Sequence, residues 1–217
     1  MAAGPGVFTG AVDGYAAVVL AGGRARRLGG VRKPALDVGG RSLLARVLGA
    51  VVDADPRIVV GPRLDGTTPE PTWTRETPPG AGPVAALRAA LPLLPPHVTA
   101  VAVLAADLPF LDHDTVVRLR SAVAAGADAA VLVDGGGRDQ YLTAVWSTRA
   151  LHGALSTYEG DRVGEVYAAA DRVERVGVAG YPPGAEPWRD VDDPTALDRA
   201  RASLNPSVTD PLSGGAV

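Results

Sequence analysis

The segment YAAVVLAGGRARRLGGVRKPAL, residues 15–36, carries an apolar run straight into a loop dense in glycine and arginine. A run rich in valine and small apolar residues suits a strand covered on both faces, as in a parallel sheet. Further runs of this kind follow at 57–61 (RIVVG), 99–107 (TAVAVLAAD), 129–134 (AAVLVD), 141–146 (YLTAVW) and 172–178 (RVERVGV), with a weaker one at 72–76 (TWTRE). Helical patterns lie between them at 41–52, 83–94, 112–126, 148–158 and 163–170, and a last helix begins after Asp193. Ser42 and Asp193 are suited to cap their helices. Pro83 falls in a first turn, where a missing N–H costs nothing, and Gly126 is placed to end a helix. Strands alternating with helices specify βαβ units and an α/β domain of three layers, Rossmann-like, around a mostly parallel sheet. The short GGGRDQ link between 129–134 and 141–146 allows a local antiparallel pair, so the sheet is expected to be mixed. One domain over 14–204 is expected, with residues 1–13 and 205–217 as flexible tails.

Composition narrows the chemistry. The 217 residues contain no cysteine, which excludes disulfides, thiolate nucleophiles and cysteine-based metal sites. A net charge of −3 argues against a general nucleic-acid binder. The N-terminus lacks the basic and apolar regions of a secretory signal. The longest apolar stretch, residues 100–106, falls far short of the ~20 residues of a membrane helix. A cytoplasmic protein with no membrane contact is therefore expected. His97, His113 and His152 are too scattered in sequence to suggest a metal triad.

In open α/β sheets ligands bind beyond the carboxyl ends of the strands, so the residues there carry the functional reading. In the first loop, Gly22 and Gly23 leave room for backbone amides to approach an anion, and Arg24, Arg26, Arg27, Arg32 and Lys33 add positive charge. The combination suits a polyphosphate, although a glycine turn with a solvated basic rim would look the same. It is not a Walker A loop, since no G-x-x-x-x-G-K-[ST] fits. Of 21 basic residues, 20 are arginine and only Lys33 is lysine. Lysine offers a compact point charge, arginine a broad planar fork. Asp107 ends the strand at 99–107 and could hold Mg²⁺ or simply turn the chain before Pro109. In WRDVDDP, alternation puts Asp190 and Asp192 on one side, as metal neighbours or as a helix cap. Arg138, Asp139 and Gln140 follow a triple glycine and, with Arg162, could meet a polar acceptor or form an exposed hairpin. GAGPVA at 80–85 also fits a dinucleotide fingerprint, which would make the chain an oxidoreductase. A non-catalytic nucleotide-binding regulator is a third possibility.

The motif L-A-G-G-x-x-x-R-L-G-x-x-K-P-A-L resembles the opening motif of the molybdenum cofactor guanylyltransferases, the MobA family, and their nucleotidyltransferase relatives. Leu20, Ala21, Gly22, Gly23, Arg27, Gly29 and Lys33 stand at its motif positions. The resemblance continues through GPVAAL (82–87), LAADLPFL (104–111), GRDQYL (137–142) and DVDDPTAL (190–197). It implies a nucleotide-diphospho-sugar transferase-like fold and transfer of GMP from GTP to molybdenum-bound molybdopterin, with Mg²⁺ as cofactor. Lys33, Arg27 and Asp107 are then implied in catalysis, and Asp107 in metal binding with Asp190 and Asp192 beside it. Leu20, Ala21, Gly22, Gly23, Lys33, Gly61, Glu76, Gly82 and Asp107 are implied at the nucleotide, and Arg138, Gln140 and Arg162 at the acceptor. Glu76 stands where the family usually has Asp, and Gly61 where it often has Asn. Transient contacts with molybdoenzymes or cofactor-insertion partners would follow. A relative using CTP on the same acceptor, or an NTP on a sugar phosphate, would share most of these residues.

Overall fold

A computed structural model describes residues 14–22 and 32–204. Its centre is a seven-stranded sheet in the order β5-β4-β1-β6-β8-β7-β9. The strands are β1 (Tyr15–Leu20), β4 (Arg57–Val60), β5 (Thr72–Thr74), β6 (Ala100–Ala105), β7 (Ala129–Val133), β8 (Asp139–Ser147) and β9 (Val173–Gly177). β8 alone runs antiparallel to its neighbours, as the short link from β7 requires. The chain builds outward from β1 through β4 to β5, then returns to place β6 on the other side of β1. That reversal opens a crevice at the carboxyl ends of β1 and β6.

Period-two alternation divides the two cores. Ala17 and Val19 of β1 and Leu104 of β6 pack with Leu44 and Val47 of α1 (Leu43–Ala50) and with Val116 and Leu119 of α3 (His113–Ala124). Ala16 and Val18 face the opposite layer, with Val84 and Leu87 of α2 (Pro83–Ala90), Leu151 and Leu155 of α4 (Thr148–Thr157), and Trp146. The helix boundaries follow the capping residues. Ser42 accepts from the Ala45 N–H at 3.1 Å, Asp193 from that of Ala196 at 2.8 Å, and Gly126 has φ +98° just past α3.

Two local readings are corrected. Residues 41 and 42 are not helical. They form strand β3 (Arg41–Ser42), which pairs with β2 (Asp37–Val38) across Gly39 and Gly40, whose φ values are 63° and 71°. Two consecutive left-handed glycines favour such a tight hairpin over a helix start. The pattern at 163–170 resolves into α5 (Val163–Val166) and a 3-10 turn at Tyr167–Ala169. The hairpin and the C-terminal α6 (Pro194–Leu204) close a third apolar cluster of Val38, Leu43, Val191, Leu197 and Ala200. No helix among the described residues is long and apolar enough to cross a membrane. Both proposed tails lie outside the described residues.

Candidate functional site

A cleft of about 540 Å³ opens over the carboxyl ends of β1 and β6, floored by Leu20, Ala21 and Gly22 on one side and Ala105, Ala106 and Asp107 on the other. Backbone bonds extend the parallel ladder past the strand ends: Ala21 N–H donates to Val60 O at 2.8 Å and Ala106 N–H to Leu20 O at 3.1 Å. The floor is thereby rigid where a ligand would meet it.

Lys33 begins a 3-10 turn at Lys33–Ala35, held by Ala35 N–H to Arg32 O and Leu36 N–H to Lys33 O. The turn delivers to the cleft a side chain only 10% exposed. Its Nζ lies 2.5 Å from Asp107 Oδ2 and 2.5 Å from Asp192 Oδ1. Burial works against the lysine's charge, but the two carboxylates outweigh it and raise its pKa. Residues 33, 107 and 192, far apart in sequence, thus form one ionic knot.

Asp190 and Asp192 are placed by the residue between them. Val191 is fully buried in the third cluster, and its N–H donates to Asp107 O at 3.2 Å. The segment leading to them is tied down at Tyr181, whose hydroxyl donates to Asp112 Oδ2 at 2.8 Å and lies 2.9 Å from Thr115 Oγ1. Asp112 also caps α3 through the Thr115 N–H. Asp107, Asp190 and Asp192 each bring a carboxylate oxygen within 4.8 Å of the others. Burial, then repulsion from Asp192 and Asp107, pushes the Asp190 carboxyl up to about 6, against the pull of Lys33. Three hard oxygen donors with a surplus of negative charge fit Mg²⁺ or Mn²⁺, and no histidine joins them.

Glu76 is not a surface residue. It is 5% exposed and lines the cleft. Its Oε1 accepts from the Gly80 N–H at 2.7 Å, while Oε2 is buried without a partner among the described residues. A Cβ at Gly22 would come within 3.3 Å of that carboxylate, so the glycine lets the two chains approach. Gly61, at φ +153°, lies under Ala21, where a Cβ would meet the Ala21 carbonyl carbon at 2.8 Å; it supports the floor from below. Gly82 and Pro83 bring the start of α2 to the cleft wall. The GAGPVA segment does not make a tight strand-to-helix turn, because β5 ends at Thr74 and α2 starts only at Pro83.

The residues proposed for an acceptor lie apart from this cleft lining. Arg138 and Gln140 belong to the β7–β8 hairpin, where Gln140 Nε2 donates to Asp134 Oδ2 at 2.9 Å. Arg162 is exposed and 3.6 Å from Glu165, in a segment whose Asp161 carbonyl faces Gly82. Gly23, Arg27 and Gly29 lie outside the described residues. The sequence offered no sign of the Lys33–Asp192 contact or of the Tyr181–Asp112 tie, since nothing local links those positions.

Residues 17–175 match the model of the MobA-like NTP transferase domain. The chain is 34% identical over 142 residues to a molybdenum cofactor guanylyltransferase of Bradyrhizobium sp. (strain ORS 278), covering 61% of this chain and 66% of that protein. A protein of the same name from Rhodopseudomonas palustris (strain BisB5) is 35% identical over 147 residues, covering 61% and 67%. The chain thus spans about two thirds of the length of these relatives. Among solved structures, molybdopterin-guanine dinucleotide biosynthesis protein A from Archaeoglobus fulgidus superposes with a TM-score of 0.65 at 20% identity, over 88% of this chain and 99% of that one. Rv0371c of Mycobacterium tuberculosis, in complex with manganese, gives a TM-score of 0.62 at 22% identity, over 87% and 98%.

Proposed function

The chain belongs to the MobA-like NTP transferase family, and on that premise we propose that it transfers GMP from GTP to the phosphate of molybdenum-bound molybdopterin, releasing pyrophosphate. The observation that carries this reading is the convergence of Lys33, Asp107 and Asp192 at the β1–β6 crevice. The acceptor phosphate oxygen attacks the α-phosphorus, a new P–O bond forms, and the bond to the β-phosphate oxygen breaks. The nucleophile is already anionic, so no protein base is needed, and catalysis rests on positioning and charge neutralisation. Asp107, Asp190 and Asp192 are the residues that would hold Mg²⁺, which when bound neutralises phosphate oxygens. Lys33 supplies a compact positive charge to the triphosphate, and Gly22 leaves its backbone open to close approach.

Glu76 supports guanine as the base. A buried carboxylate with an unpartnered oxygen needs an N–H donor, and guanine presents two neighbouring donors, N1–H and N2–H₂, on one edge. The test is pyrophosphate release with molybdopterin and each of GTP, CTP, ATP and UTP in turn. GTP is expected to dominate. A preference for CTP would replace the guanylyl assignment with a cytidylyl one, and pyrophosphate release only when a sugar phosphate is supplied in place of molybdopterin would replace the acceptor.

A further inference from the structure

We propose that Lys33 is the resident counter-ion of the carboxylate cluster and that it changes places with the divalent cation. The inference rests on the reading above, in which these carboxylates hold the metal. Nζ contacts Asp107 and Asp192 at 2.5 Å each, so the ammonium fills the space between two of the three candidate ligand residues. A cation coordinated to those same two oxygens at ~2.1 Å would lie against the ammonium, and two positive charges in contact repel strongly. The cation can take those two oxygens only as the ammonium gives them up.

Lys33 is built to do so. Its backbone is held by the 3-10 turn, while the rotatable bonds of its four-carbon stem can re-aim the ammonium along the cleft. The cleft it lines continues to Gly22, over whose open backbone the phosphates of a nucleotide would give the ammonium a second seat. An arginine fork is too broad to replace a point charge held between two carboxylates, which fits the presence of lysine here in a chain whose other 20 cationic side chains are arginine. Without nucleotide, the cation competes with Lys33 and binds weakly. With nucleotide, the lysine moves to phosphate and the carboxylates are released to the cation, so each ligand strengthens binding of the other.

The test is Mn²⁺ binding followed by electron paramagnetic resonance, in the absence of nucleotide, for the unsubstituted protein and for Lys33→Met. Lys33→Met is expected to bind Mn²⁺ at least about tenfold more tightly, because a competing charge is gone. A second measurement avoids the variant altogether. Lys33 is the only lysine, so side-chain acylation by an amine-reactive reagent, read by mass spectrometry, reports on it alone. Saturating Mn²⁺ is expected to accelerate that labelling several-fold, and added GTP to suppress it. A Lys33→Met affinity no higher than that of the unsubstituted protein, or labelling unmoved by bound Mn²⁺, overturns the exchange while leaving the proposed activity standing. Failure of Mn²⁺ to bind either protein even with GTP overturns instead the metal reading on which it rests.

Discussion

Lysine and arginine carry the same charge in different shapes, and Lys33 sits where shape decides. Its Nζ bridges two carboxylates at 2.5 Å in a pocket that leaves it 8% exposed. Lys33→Arg is expected to keep the fold, seen by circular dichroism, and to lower kcat by about a hundredfold or more, the usual effect of misplacing one donor to a developing charge. At Glu76 the issue is satisfaction rather than shape. Glu76→Gln leaves a single acceptor oxygen, which the Gly80 N–H already uses, and presents an NH2 donor where the guanine N–H groups need an acceptor. We expect kcat/KM for GTP to fall by about 10- to 100-fold, with the value for CTP little changed. Asp190 sets a pH dependence. Its folded pKa of about 6 lies above the ordinary 3.8, so folding takes up a proton between those values and stability falls as pH rises through the window. Below about pH 3 the carboxyl is neutral in both states and contributes nothing. Metal-free Asp190→Asn should therefore melt about 2 °C higher than the unsubstituted protein at pH 7.5 and at the same temperature at about pH 2.5, a small shift because the group is partly solvated.

Elements carry these residues to the site, and α3 does more than its own packing requires. Asp112 caps it through the Thr115 N–H at 2.9 Å and, with its other oxygen, holds Tyr181 at 2.8 Å. One carboxylate thus fastens both the start of α3 and the segment that leads to Asp190 and Asp192. Asp112→Ala is expected to cost about 2 kcal/mol in urea unfolding, roughly one for the cap and one for the lost hydrogen bond. It should also raise the Mn²⁺ concentration needed for activity, an effect that a lost cap alone would not produce. The cap residues Ser42 and Asp193 were legible because capping is local: side chain and amide are three residues apart. The β2–β3 hairpin was not. Residues 41–52 carry one helical apolar pattern, and only the pairing of Asp37 with Ser42 takes the first two residues out of it.

At the scale of the molecule, the two cores share one sheet. Neighbouring residues of β1 and β6 alternate between them, so neither face can open without disturbing the other. Trp146 is 1% exposed in one core, while Trp73 and Trp188 pack against the other. Thermal unfolding followed by tryptophan fluorescence and by far-ultraviolet circular dichroism should therefore give one superimposable transition; a fluorescence change preceding the loss of helix would show the faces separating. The alternation of strands and helices, the mixed sheet and the strand ends where ligands bind all follow from apolar periodicity and turn residues, which act over a few neighbours along the chain. The single lysine could likewise be found by counting. Folding alone decided what that lysine meets. Asp107 and Asp192 lie 74 and 159 residues from Lys33, and no local rule links them. Their meeting depends on the reversal that sets β6 beside β1 and on the burial of Val191 among Val38, Leu43 and Leu197. Glu76 was legible as a residue type but not as a buried one, because burial depends on what the other segments bring against it.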